Sequence, residues 1–184
     1  MTAMPHIEPQ QIKRLTVAQG DSLASTDPNV IFTTVLGSCV AVCLYDSGAC
    51  VGGMNHFLLA DPAPLSGEER HLLNRYGLHS MELLINAMLQ RGAVRWGLKA
   101  RVYGGATMRE GLGDIGKRNI EFAREFLANE KIPILGEDVG GTSARRIEFR
   151  PVAGLSRCKV VSSQPVERVI VKAPPKSVGD VEFF

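Results

Sequence analysis

Hydrophobic positions in the first third of the chain come in short runs rich in β-branched residues. Such runs occur at 29–36, 40–45 and 51–59, and turn residues such as Gly37-Ser38 separate them. This pattern predicts three strands. After these runs the period changes, because apolar residues from Met81 to Leu89 recur at every third or fourth position. That spacing predicts a helix that ends at Arg91-Gly92.

The rest of the chain mixes both patterns. The remaining predicted elements are a strand at 98–103, a helix at 119–129, a strand at 132–135, and a hairpin of 146–151 with 155–161. Strands followed by mixed helices and strands favour an α+β fold over regular βα alternation. We therefore expect a layered α/β sandwich, with a mixed sheet and helices packed on one side. One domain is expected over 12–162, with flexible termini at 1–11 and 173–184.

Composition and charge narrow the function classes. The 184 residues include 21 Lys+Arg and 19 Asp+Glu, a net charge of +2, which provides no field to attract nucleic acid. No apolar run approaches the roughly 18 residues of a membrane span, so membrane insertion is not expected. The polar N-terminus lacks a secretory signal, so we expect a cytoplasmic protein whose four cysteines are reduced.

Cys39 and His56 form the most informative pair of reactive residues. If the 40–45 and 51–59 runs form a hairpin with Ser47-Gly48 as a two-residue loop, residues whose numbers sum to 95 face one another. Cys39 and His56 would then be direct cross-strand neighbours, with Cβ atoms roughly 4.5–5.5 Å apart. At that separation an imidazole can take the proton of a thiol and leave the nucleophilic thiolate.

Three residues around Cys39 are candidates for supporting roles. Gly37 can adopt conformations closed to other residues, and with Ser38 it would make a tight turn before Cys39. The backbone N–H of Cys39 and a neighbouring N–H could then stabilise a developing oxyanion. Thr33, on the preceding strand, is predicted to orient the imidazole of His56 through its hydroxyl.

Other interpretations of the same residues remain open. Cys39 could be a buried space-filling residue, since free cysteines are often buried. The four cysteines could bind zinc, although short paired Cys-x2-4-Cys spacings are missing. The segment from Gly111 to Gly116 reads G-x-G-x-x-G, which could mark a nucleotide-dependent enzyme, but the preceding predicted strand ends about six residues too early for that motif.

Several motifs taken together resemble the CheD family. The motifs are Thr33-x5-Cys39 in a T-x-L-G-S-C-V-A-V-C context, Gly52-Gly-Met-Asn-His56, Arg75-Tyr76, Tyr103-Gly-Gly-Ala-x-Met108, Ile115-Gly-x-Arg-Asn119 and Asp138-x-Gly-Gly-x-x-Ala-Arg145. They occur in order over the predicted domain of residues 12–162. If the chain is similar to this family, the G-x-G-x-x-G sequence at 111–116 is a coincidence, because it falls in the segment spanned by the motifs that begin at Tyr103 and Ile115.

The resemblance implies a function and a set of site residues. CheD proteins are chemoreceptor glutamine deamidases, so the chain would hydrolyse glutamine side chains of methyl-accepting chemotaxis receptors to glutamate. Cys39 would be the nucleophile, His56 the base and Thr33 the orienting residue, with no metal and no organic cofactor. The expected fold resembles that of a deamidating bacterial toxin. A CheC-type phosphatase is a possible partner, and the alternative function is a non-catalytic regulator of that phosphatase or of the receptor complex.

Overall fold

The computed structural model describes residues 11–59, 67–107 and 115–161. Within these ranges the chain forms nine strands, two α-helices and one short 3-10 helix. The strands are β1 (Lys13–Thr16), β2 (Ser22–Ser25), β3 (Val30–Leu36), β4 (Val40–Asp46), β5 (Val51–Asn55), β6 (Lys99–Gly104), β7 (Ile134–Val139), β8 (Ala144–Arg150) and β9 (Leu155–Val161). The helices are α1 (Gly67–Leu89) and α2 (Ile115–Asn129), and the 3-10 helix spans Arg95–Gly97.

The strands form two mixed sheets. The four-stranded sheet has the order β1-β3-β8-β9, and the five-stranded sheet has the order β2-β5-β4-β6-β7. Each contains one parallel pair, β1 with β3 and β6 with β7, and its other pairs are antiparallel. The predicted α+β class is confirmed. The predicted mixed strand arrangement is present and is divided between two sheets that pack face to face.

The five-stranded sheet is the middle of three layers. Both helices contact it, α1 through β2 and β5 and α2 through β4 and β6, so the helices lie on one side as predicted. One apolar cluster fills the space between this sheet and the helices, and a second fills the space between the two sheets. Every residue of β4 is buried, since this central strand has covered faces on both sides.

The predicted elements are present, with shifted boundaries. The runs at 29–36 and 40–45 became β3 and β4, and the hairpin near Gly154 became β8 and β9. Helix α2 begins at Ile115, four residues before the predicted start at Asn119. Strands β1 and β2 were missed because they are short and none of their residues is fully buried. The expected flexible termini, 1–11 and 173–184, lie almost entirely outside the described residues.

The β4–β5 hairpin has a longer turn than predicted. Its turn comprises Ser47–Cys50, because Asp46 pairs with Val51, and the pairs therefore sum to 97 rather than 95. The physical reason is the Asp46 carboxylate, whose Oδ1 accepts hydrogen bonds from the backbone N–H groups of Gly48 (2.9 Å) and Ala49 (3.2 Å). A two-residue loop leaves no room for this side-chain cap.

Neither helix, in the part of the chain that the structure describes, has the length and apolar character that a membrane span needs.

Candidate functional site

Cys39 and His56 lie diagonally across the ends of β4 and β5. An isolated antiparallel bridge joins Val40 to Phe57, and both residues point into the apolar cluster beneath the helices. Cys39 and His56 each precede a bridge residue, so they share the opposite face, which points toward the four-stranded sheet. The register differs from the prediction by two residues, so the shared face is kept but the direct pairing is lost. Diagonal neighbours stand about 7–8 Å apart.

The imidazole of His56 is fixed from the side of the four-stranded sheet. Its Nδ1 lies 3.0 Å from the hydroxyl oxygen of Thr34 and 3.2 Å from the backbone carbonyl oxygen of Val17. The Thr34 hydroxyl donates its proton to the same Val17 carbonyl, at 2.8 Å. The proton of this hydroxyl is therefore already used, and Nδ1 must be the donor to both oxygens. This hydrogen-bond network assigns the tautomer with a proton on Nδ1 and a lone pair on Nε2.

Thr34 occupies the place that the sequence assigned to Thr33. Successive side chains of a strand point to opposite faces. On β3, Phe32 and Leu36 pack between the two sheets, so Thr34 shares their face and reaches His56. Thr33 lies on the outer face, opposite Glu148 of β8, and is only half-buried. The hydroxyl that contacts Nδ1 of His56 is therefore that of Thr34, one residue beyond the predicted Thr33.

The other ring nitrogen of His56 has no hydrogen-bond partner. His56 is buried, and among the side-chain atoms of the described residues its Nε2 is both inaccessible and unpaired. Burial lowers the pKa of His56 below its ordinary value, although the Val17 carbonyl and Asp21 act in the opposite direction. The ring is therefore neutral near pH 7 and carries an available lone pair. Those are the properties of a general base.

Cys39 is half-buried, and its thiol donates to the side-chain oxygen of Gln19, at 3.3 Å. No hydrogen bond joins its sulfur to His56 in the described structure. Burial raises the pKa of the Cys39 thiol, and its own backbone N–H opposes this rise. Burial thus favours the neutral form of both residues, and the site holds a thiol beside an imidazole rather than a preformed ion pair.

The carbonyl groups of three successive residues, Gly37 to Cys39, accept hydrogen bonds from the rest of the domain. The carbonyl oxygen of Gly37 accepts from the N–H of Ala106 (2.8 Å), and that of Cys39 accepts from Gly105 (2.7 Å). The carbonyl oxygen of Ser38 accepts from the side chain of Asn119 on α2, at 2.9 Å. The N–H groups of Ser38 and Cys39 donate to no other residue that the structure describes, although the Cys39 N–H interacts with its own sulfur. They are available for an oxyanion at the sulfur.

Asn119 links this turn to the segment that follows His56. Its side chain is fully buried, and its Oδ1 accepts from the N–H of Leu59, at 2.8 Å. A single amide group therefore connects the turn at Ser38 to the chain three residues beyond His56. The sequence pointed to Asn119 only as a residue near a helix start and as part of a family motif.

Gly104 and Gly105, next to the turn at Cys39, have backbone conformations with positive φ. Their φ angles are 104° and 67°, whereas Gly37 has no positive φ, so the conformation expected at Gly37 lies on the neighbouring strand end. A Cβ atom at Gly104 would stand 2.2 Å from the carbonyl oxygen of Cys39. Only glycine allows β6 to approach the backbone of Cys39 this closely.

The other three cysteines occupy separate positions, and Cys158 lies on β9, where it packs against the same apolar cluster as Cys39. Cys39 and Cys50 lie at opposite ends of β4, and Cys43 is buried between the sheets. Among the described residues, no group of three His, Cys, Asp or Glu side chains could hold a metal ion. The nucleotide interpretation depends on 111–116, of which 111–114 lie outside the described residues, and Gly116 packs against Gly105.

Comparison with known proteins gives the family. The family model for CheD chemotactic sensory transduction matches residues 58–160. A probable chemoreceptor glutamine deamidase CheD from Zymomonas mobilis is 56% identical over 94% of this chain and 93% of the relative. The chain belongs to the CheD family. Relatives with the same descriptive name from Caulobacter vibrioides (44% identity, 100% of both chains) and Ruegeria (51%, 80% of this chain and 77% of the relative) also match.

Solved structures with some likeness to this CheD chain are more distant. A Neisseria meningitidis protein matches 72% of this chain and 65% of its own with a TM-score of 0.44 and 11% identity. A hypothetical protein from Bacillus licheniformis matches with a TM-score of 0.41 and 14% identity, over 72% of this chain and 61% of its own.

The sequence did not predict three contacts of this CheD site. They involve Thr34, Gln19 and the carbonyl of Val17. Strand β3 has apolar or β-branched residues on both faces, so its pattern does not show which threonine points inward. A backbone carbonyl carries no sequence signal, and Gln19 lies in a segment for which no element was predicted.

Proposed function

We propose that this CheD chain is a protein-glutamine amidohydrolase that converts glutamines of methyl-accepting chemotaxis receptors to glutamate. The named function of its relatives, at 42–56% identity over most of the chain, supports the substrate. The observation that carries the chemistry is the buried, unpaired Nε2 of His56, on the same face as the Cys39 thiol. We place the reaction in the cytoplasm, which suits four free cysteines.

The reaction begins when a substrate carboxamide enters beside Cys39. The thiol proton moves to Nε2 of His56 as the sulfur attacks the carboxamide carbon, because burial disfavours a separated thiolate and imidazolium in the resting site. The developing oxyanion is held by the N–H groups of Cys39 and Ser38. These donors are kept in place by the three carbonyl contacts of the turn.

The second half of the reaction releases both products. The imidazolium of His56 donates its proton to the leaving nitrogen, and ammonia departs from the thioester. His56 then takes a proton from water, which attacks the thioester and frees glutamate and Cys39. Thr34 and the Val17 carbonyl keep the Nδ1 proton in place throughout, so Nε2 alone exchanges protons.

Hydroxylamine tests the thioester directly. A chemoreceptor cytoplasmic fragment is incubated with the protein in the presence of hydroxylamine, and the tryptic peptides are analysed by mass spectrometry. We expect glutamyl hydroxamate at the same sites that become glutamate in its absence, and neither product with Cys39→Ser. Glutamate without hydroxamate would contradict a covalent intermediate. Receptor binding with no change of any glutamine would instead support the non-catalytic regulator, for which binding of a CheC-type phosphatase is the next measurement.

A further inference from the structure

A glutamine of the chain itself lies at the nucleophile. The side-chain oxygen of Gln19 is 3.3 Å from the sulfur of Cys39. A carbonyl bond adds roughly 1.2 Å, so the carboxamide carbon is no more than about 4.5 Å from the sulfur. Reacting atoms in a near-attack arrangement are about 3–3.5 Å apart. A small rotation of this exposed side chain therefore brings the carbon within reach.

The backbone presents Gln19 in a fixed position. It occupies the second position of a tight turn in which the N–H of Asp21 donates to the carbonyl of Ala18 (3.0 Å). Gly20 provides the positive φ, 97°, that the third position of such a turn requires.

The turn is bonded to the same histidine that serves as the base. The N–H of Gly20 donates to the carbonyl of His56 (2.7 Å), and the N–H of His56 donates to the carbonyl of Asp21 (3.1 Å). The side chain of Gln19 therefore contacts the Cys39 thiol, while its turn is bonded to the backbone of His56.

We propose that Gln19 is an internal substrate and that Cys39 deamidates it to glutamate. This inference rests on the proposed function, because it uses the same nucleophile and base. The thiol proton passes to Nε2 of His56, a C–S bond forms at the Gln19 carboxamide carbon, and the C–N bond breaks as ammonia leaves with a proton from the imidazolium. Water then adds to the thioester, the C–S bond breaks, and the thiol is restored. The sum is amide plus water to acid plus ammonia, with no change of oxidation state.

The product changes the site. A glutamate at position 19 places a carboxylate next to the sulfur, and like charges disfavour the thiolate that attacks a receptor glutamine. Self-deamidation therefore lowers the activity of each molecule in which it has occurred. Gln19→Glu imitates the product and should be a slower receptor deamidase than a freshly prepared wild-type protein.

Peptide mass spectrometry of the full-length protein tests the inference without any added substrate. The peptide that contains Gln19 should show increasing conversion to glutamate during incubation of the wild type, whereas exposed Gln90, at the end of α1, remains glutamine in the same sample. Cys39→Ser should show no conversion at Gln19. Wild-type protein whose Cys39 is blocked with iodoacetamide immediately after lysis provides a second control, with an unaltered sequence.

The outcomes separate this inference from the proposed function. A wild-type protein that deamidates receptor fragments but keeps Gln19 intact overturns the inference and leaves the proposed function standing. Equal conversion in the wild type and in Cys39→Ser also overturns it, because a Gln-Gly sequence can deamidate without catalysis. Conversion that requires Cys39, in a protein inactive on receptors, supports the internal reaction and contradicts the proposed substrate.

Discussion

The hydroxyl oxygen of Thr34 lies 3.0 Å from Nδ1 of His56, and its proton is donated to the carbonyl of Val17 at 2.8 Å. This contact joins the four-stranded sheet to the five-stranded sheet at the point where the reactive residues meet. It fixes which ring nitrogen carries the proton, and so leaves the other nitrogen free to act as a base.

Replacing Thr34 by valine keeps the shape of the side chain and removes the hydroxyl. We expect kcat for receptor glutamine to fall roughly tenfold to a hundredfold, since a buried polar group that loses its partner costs about 1–3 kcal/mol. Thr33→Val is the matched control on the outer face of the same strand, and its rate should stay near that of the wild type. The reverse order of the two variants would return the orienting role to Thr33.

Gly104→Ala tests the close approach behind Cys39. The new Cβ would lie 2.2 Å from the Cys39 carbonyl oxygen, so both the unfolding free energy and the deamidation rate should fall. Gly92→Ala is the matched control, because Gly92 has a similar φ of 96° but no atom within 4 Å of the added Cβ. The backbone strain alone should cost Gly92→Ala about 1–2 kcal/mol in urea unfolding, with the rate unchanged. Equal loss of stability and activity in both variants would mean that the steric contact is unimportant.

Asn119→Ala removes the amide that connects the turn at Ser38 to the segment after His56. We expect a loss of about 2–4 kcal/mol in unfolding free energy, because the Ser38 carbonyl and the Leu59 N–H both lose their buried partner. Asn129→Ala, at the exposed end of the same helix, should change stability by less than about 0.5 kcal/mol. Chemical denaturation of both variants measures the difference, and similar midpoints would contradict the bridging role.

The pH dependence follows from the direction of the His56 shift. A folded state with a lowered histidine pKa stays neutral at pH values where the unfolded chain already binds a proton. This contribution to stability is full above the unfolded pKa of about 6.5 and is lost as the pH falls toward the lower folded pKa. The acid limb of kcat/KM should accordingly lie below about pH 6.5, since only neutral His56 acts as the base. An acid limb above pH 7 would contradict a buried neutral base.

Much of the architecture follows from the sequence, while the contacts within the site do not. The β-branched runs and the helical spacing predicted β3, β4, α1 and α2, because the period of the hydrophobic residues can be read directly from the sequence. The predicted pairing of Cys39 with His56 depended on the length of one turn. That turn is two residues longer than predicted, and the Asp46 carboxylate caps it. A register shift of two residues keeps Cys39 and His56 on the same face of the sheet. The shared face was therefore predicted correctly, although the two residues are diagonal neighbours and not a direct pair.

The sequence did not show that Thr34, rather than Thr33, contacts His56. Thr33 and Thr34 are chemically identical, and only the packing of Phe32 and Leu36 between the sheets decides which one faces His56. A strand with apolar residues on both faces does not contain that information locally. Tertiary packing determines which of the two threonines faces the other sheet.

In the proposed reaction Cys39 attacks a receptor glutamine while His56 accepts the thiol proton. The most direct measurement follows the amide-to-acid mass change in a chemoreceptor fragment treated with wild type, Cys39→Ala or His56→Ala, each shown by circular dichroism and urea unfolding to be folded. We expect conversion with the wild type and none above the enzyme-free rate with either variant. Wild-type conversion by a folded Cys39→Ala or His56→Ala protein would contradict the claim.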